Sequence, residues 1–188
     1  MHPILRRLLA GKRADAGVAA VEFAFLVPVF AILFAGVVDV SQMLYACYQL
    51  DQAVGAGSQY AVLNAANVTS TTGAALAGSI ATVVANANGT AWTNDTIVVN
   101  NGPSVTMTNG TAASGGTAAN ADSYYCLTGS LNSWAWGTAY TTQTNCSGGD
   151  TAGKYVTITA SYNYVPLVAI YNVFTNTTLN QSAAVRVQ

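Results

Sequence analysis

Residues 18–38 read VAAVEFAFLVPVFAILFAGVV, an apolar run with one charge, Glu22. As a helix rising 1.5 Å per residue it spans roughly 30 Å, the thickness of a bilayer's hydrocarbon core. Arg6, Arg7, Lys12 and Arg13, four of the six basic residues, lie just upstream. A basic flank before an apolar helix stays in the cytoplasm, so the chain after Asp39 is expected outside the inner membrane. A cleaved secretory signal has a shorter apolar core, about 7–15 residues, followed by a small-residue cleavage site. Here residues 40–57 (VSQMLYACYQLDQAVGAG) continue with sequence compatible with helix. Glu22 is the only glutamate. A carboxylate in hydrocarbon costs about 2.5–3.5 kcal/mol on insertion scales, so it calls for a function or a partner. The alternative is hydration from the cytoplasmic face, which lies only about 6–8 Å away along the helix.

The stretch Gly17-Val18-Ala19-Ala20-Val21-Glu22-Phe23 resembles a prepilin processing site: a short basic leader ending in Gly, then an apolar helix with Glu at its fifth position. Residues 17–40 (GVAAVEFAFLVPVFAILFAGVVDV) are similar to the TadE-like pseudopilins, minor pilins of tight-adherence (Tad/Flp) type IV pilus systems. The resemblance covers roughly residues 6–50, with a weaker echo in residues 155–174 and 179–188. It implies cleavage between Gly17 and Val18 by a prepilin peptidase. The freed amine of Val18 would then pair with Glu22, in a neighbouring subunit or within one helix, where the two are i,i+4 neighbours. Pairing lowers the cost of burying the carboxylate, and removing one partner strands the other. The implied partners are the peptidase, other pilins or pseudopilins and the inner-membrane assembly platform. Membrane lipid is the partner implied by the span itself.

Ala20, Ala24, Pro28, Ala31 and Ala35 fall within about an 80° arc at 100° per residue. A stripe of small residues lets another helix approach closely in lipid; the plainer reading is that Ala is common here. Beyond Asp39 the pattern turns amphipathic. Val40, Leu44, Cys47, Leu50, Val54 and Ala61 are expected on one packing face, with Gly55 and Gly57 as soft points in a helix reaching about residue 66.

A second helix is expected over 73–87. Strands are expected at 97–99 and 105–107 around Asn100-Asn101-Gly102-Pro103, where Asn-Gly is the hairpin signal. Residues 109–121 read as an exposed loop. Residues 155–164 alternate apolar and polar and form the clearest strand, and 179–187 the last. The apolar segment 165–174 reads as a short helix or an exposed patch. The fold class is α+β: a long transmembrane and stalk helix, then a small extracytoplasmic domain with an antiparallel sheet. The corresponding segments are 1–17 (cytoplasmic leader), 18–38 (span), 39–66 (helix continuation) and 67–188 (outer domain).

Charged residues make up 7% of the chain, and past residue 14 its only basic side chains are Lys154 and Arg186. That is too few to track a phosphate backbone, so no nucleic acid is expected as a partner. Cys126 and Cys146 lie in turn-rich outer sequence and can form a disulfide outside the cytoplasm; two free thiols are the alternative. Cys47 is expected as a small buried apolar residue on the helix. The only histidine is His2, in the leader. Without a CxxC or paired His, no metal site or cofactor is expected. No His-dependent triad can be built, and Asp95, Asp122 and Asp150 have no spacing that fixes a carboxylate pair, so no catalytic residue is expected. Two functions remain: a processed pilus-assembly pseudopilin, or an envelope adhesion or structural protein on an uncleaved signal anchor.

Overall fold

The computed structural model describes residues 3–89, 92–130, 133–166 and 177–188, with side chains from residue 17 onward. The fold is α+β. Helix α1 (Pro3–Leu63) runs through Pro28 and is followed by a 3-10 turn (Ala65–Asn67) and α2 (Gly73–Ala85). The strands are β1 (Asn94–Val99), β2 (Ser104–Thr108), β3 (Thr111–Gly115), β4 (Thr128–Ser130), β5 (Ser133–Ala135), β6 (Tyr155–Tyr164) and β7 (Thr177–Arg186). The chain divides into two compact units, one holding α1 up to Met43 and the other starting at Leu44.

In the outer unit, five antiparallel strands pair in the order β3-β2-β1-β6-β7. Alternation sets the buried face: Ile97 and Val99 of β1, Val105 of β2, and Val156, Ile158 and Ala160 of β6 are buried. Helix α2, with no charged residue, buries Leu76, Ala77, Ile80, Ala81 and Val84 in the same core. Each fully covered Leu, Ile or Val contributes about 1.5–3 kcal/mol.

Helix α1 supplies Ala46, Leu50, Ala53, Val54 and Ala61. Val40 and Leu44, expected on this face, are exposed instead. Leu44 lies about 120° round the helix from Leu50, so the four-residue step linking it to Val40 follows a different stripe. Gly57 is a packing contact rather than a soft point. A Cβ there would meet Val84 Cγ2 at 2.5 Å, Ile158 Cδ1 at 3.2 Å and Ile80 Cγ2 at 3.4 Å, whereas at Gly55 it would meet nothing within 4 Å.

The hairpins differ from the sequence expectation in two places. Between β1 and β2 the turn residues are Asn100 (φ 52°) and Asn101 (φ 54°), with Gly102 N–H donating to Val99 O at 2.9 Å. The positive-φ pair is therefore Asn-Asn, as in a type I′ turn, because Asn tolerates the left-handed region. Asn100 is fully buried and its side chain is satisfied. Its amide donates to Ala121 O (2.9 Å) and Ser123 O (2.6 Å), and its oxygen accepts from Tyr155 N–H (3.2 Å).

Residues 109–121 are not all loop. Asn109 (φ 48°) and Gly110 (φ 77°) make a two-residue turn into the exposed edge strand β3, and a 3-10 turn follows at Ala118–Asp122. Of segment 165–174, all but the first two residues lie outside the described residues. The last strand is Thr177–Arg186, with Ala183 opposite Ile158 and Val185 opposite Val156.

A carboxyl lies in this core. Asp95 faces inward on β1 between its register partners Met107 and Ala160, is 3% exposed, and neither oxygen has a hydrogen-bond partner. Burial pushes its pKa up from 3.8 to about 7.

Two predictions follow from this packing. Gly57→Ala should destabilise the outer unit by about 1–3 kcal/mol through overpacking, despite the better helix propensity of Ala. Gly55→Ala should stabilise it by about 0.5–1 kcal/mol, and denaturant midpoints compare the two. For Asp95, the folded pKa lies above the unfolded one. Its contribution is fully present below pH 4 and is lost as pH rises through 7, a swing of the order of 3–5 kcal/mol. Asp95→Asn should flatten stability between pH 4 and 8, and an unchanged slope would refute the assignment.

Candidate functional site

The residues expected at the cleavage position lie within α1. Gly17, Val18 and Glu22 are exposed on continuous helix, with Val18 and Glu22 one turn apart. Nothing in the fold requires glycine at 17: a Cβ there would meet no atom within 4 Å.

The small-residue stripe is open over most of its length. Ala20, Ala24, Pro28 and Ala31 are exposed and Ala35 is half-buried. On the other faces Val18, Val21, Phe23, Phe25, Leu26, Phe30, Leu33 and Phe34 are also exposed. In water this surface would be strongly unfavourable, but it suits hydrocarbon or another apolar helix. Among the described residues α1 is the one helix long and apolar enough to cross a membrane, and it fits a membrane anchor.

In the outer unit, Cys126 and Cys146 form a disulfide with Cα atoms 5.7 Å apart, closing a separation of 20 residues. It brackets the small β4–β5 sheet, and Tyr140 inside the loop bridges to Tyr124 just outside it. Trp136 meets Tyr125 edge-on at 5.7 Å, and Trp92 stacks on Tyr162 at 4.7 Å. Cys47 on α1 is free and half-buried.

The three aspartates weighed as catalytic candidates have separate environments. Asp95 is in the core. Asp122 accepts from Ser70 N–H at 2.9 Å. Hydrogen bonds from the Ser70 side chain and backbone hold its pKa below the usual carboxylate range, with a smaller contribution from the Lys154 charge. Asp150 is exposed beside the disulfide, its carbonyl accepting from Cys146 N–H.

Lys154 is buried, donates to Val68 O at 3.1 Å and stands 5.6 Å from the Tyr124 ring centre. Asp122 and Lys154 thus both bind the 68–70 segment, a structural clamp that no residue spacing along the chain signals. No group of three His, Cys, Asp or Glu side chains suited to a metal occurs among the described residues.

Comparison with known proteins locates the similarity on α1. Residues 17–59 match the family model of the TadE-like protein, a family associated with Tad pili. No curated protein and no solved structure matches the chain. The match begins at Gly17 and ends two residues beyond the Gly57 contact, leaving the sheet outside it. Residues 17–59, the apolar run and most of α1 beyond it, are therefore the part of the chain that is similar to the TadE-like family.

Proposed function

We propose that the protein is a minor pilin, or pseudopilin, of a Tad/Flp-type pilus or related secretion apparatus. In this reading it is inserted in the inner membrane with its N-terminus cytoplasmic, and a prepilin peptidase cuts it between Gly17 and Val18. The observation that carries it is the coincidence of the TadE-like match with the Gly17-Val18…Glu22 motif, on a helix whose apolar surface is left uncovered. Its work is assembly rather than catalysis: the anchor packs beside the helices of other pilins and the inner-membrane platform, and Ala20, Ala24, Pro28, Ala31 and Ala35 permit close approach. The new Val18 amine and Glu22 supply the charge pair, and because each stands on the helix surface, one subunit can reach the next. Adhesion through the outer domain on an uncleaved anchor is the competing reading.

N-terminal sequencing or intact-mass analysis of the membrane-extracted protein should give a chain starting at Val18; a retained leader would favour the competing reading. Glu22→Ala removes the cost of carrying a carboxylate into the bilayer, so membrane insertion should persist while piliation drops. Normal piliation in that variant would remove the pairing role.

A further inference from the structure

Asp39 ends the apolar run in the sequence but not the apolar surface of α1. Its side chain is 4% exposed and lies within about 20° of Ala46 and Leu50 round the helix, on the buried arc. Between Glu22 and Asp51, α1 therefore presents no charged side chain to its surroundings. Val37, Val40, Leu44 and Tyr48, spaced three, four and four residues apart, form an opposite stripe about 80° wide. Past Asp39 its members remain open, with Leu44 65% and Tyr48 62% exposed, and Tyr45 beside them at 63%. After Tyr48 the next large exposed apolar side chain on α1 is Val62. Ser41, next to the stripe, donates its hydroxyl to Val37 O at 2.7 Å and so needs no water.

Length identifies the occupant. From Phe23 to Met43 the helix rises about 30 Å, one hydrocarbon core, and from Phe23 to Tyr48 about 38 Å, close to the 40–45 Å of a bilayer with its headgroups. Tyrosine prefers the headgroup level, with its ring towards the chains and its hydroxyl towards water. Tyr45 and Tyr48 also line, with Val83, Ala87 and Asn88, an uncharged hollow of about 420 Å³ at the end of α2.

We propose that the membrane contact of α1 continues past Asp39 to Tyr48, with Leu44, Tyr45 and Tyr48 forming a girdle in the outer headgroup layer. The proposal rests on the anchor reading above and shifts its register outward. Glu22 then stands at the inner hydrocarbon boundary, so its pairing governs assembly more than insertion.

The test uses the full chain in phosphatidylethanolamine–phosphatidylglycerol vesicles. In a Cys47→Ala background, spin labels are placed by Phe30→Cys, Leu44→Cys, Tyr48→Cys and Gln59→Cys, all exposed positions. Formation of the Cys126–Cys146 link checks folding of each variant. Relaxation by lipid-soluble oxygen and by a polar nickel chelate reads depth. The expected result is hydrocarbon at 30, headgroup depth at 44 and 48, and water at 59. Water at 44 and 48 with hydrocarbon at 30 overturns the girdle and leaves the anchor standing. Water at 30 as well overturns the anchor reading itself. Labels at 44 and 48 shielded from both reagents mean that a protein covers this face, which also overturns the proposal.

Discussion

A backbone amide in hydrocarbon has no water to bond, so a chain crossing a bilayer must satisfy its own N–H and C=O groups. Helix α1 meets that condition over Pro3–Leu63 by staying one helix, with Pro28 inside it. The same regularity serves the outer unit. At 100° per residue, Ala46, Leu50, Ala53, Val54, Gly57 and Ala61 fall on one arc, and that arc forms a wall of the core. The absent side chain of Gly57 lets α1 approach Val84 and Ile158 closely.

The outer unit gains little from charge. It has two cations, Lys154 and Arg186, and its acids are dispersed. Its polar order comes from directed hydrogen bonds. Asn100 ties the β1–β2 turn to the Ala118–Asp122 turn and to the start of β6, while Lys154 and Asp122 hold the 68–70 segment. A buried amide with each donor matched stabilises by about 1 kcal/mol per bond, and leaving its partners unmatched costs more. Asp95 departs from this pattern: its carboxyl has no hydrogen-bond partner, and the core prefers its neutral form.

The long apolar helix was legible in the sequence because its signal is one-dimensional: length and hydropathy are counted along the chain. The α+β class, the strand at 155–164 and the cysteine pair were legible for similar reasons, periodicity in one case and turn-rich context in the other. Three features were not. The strand β3 consists of Thr, Ala, Ser and Gly, all exposed, so it carries no alternation; the Asn109-Gly110 turn was its only signal, and the low-complexity composition around it obscured that. The stalk face was misplaced at Val40 and Leu44, because three- and four-residue steps drift round a helix when followed too far. Asp95 and Asn100 needed the third dimension, since nothing along the chain marks which polar residue of a strand or turn will be enclosed.

The Cys126–Cys146 bond has a consequence for timing. Neither cysteine belongs to the five-stranded sheet, so strand pairing can proceed while both thiols are reduced. The lobe between them is sealed only after an oxidant reaches it, and cytosolic glutathione and thioredoxin would hold it open. In the topology proposed above, closure of this lobe therefore follows export, and an open lobe marks a chain that has not finished maturing.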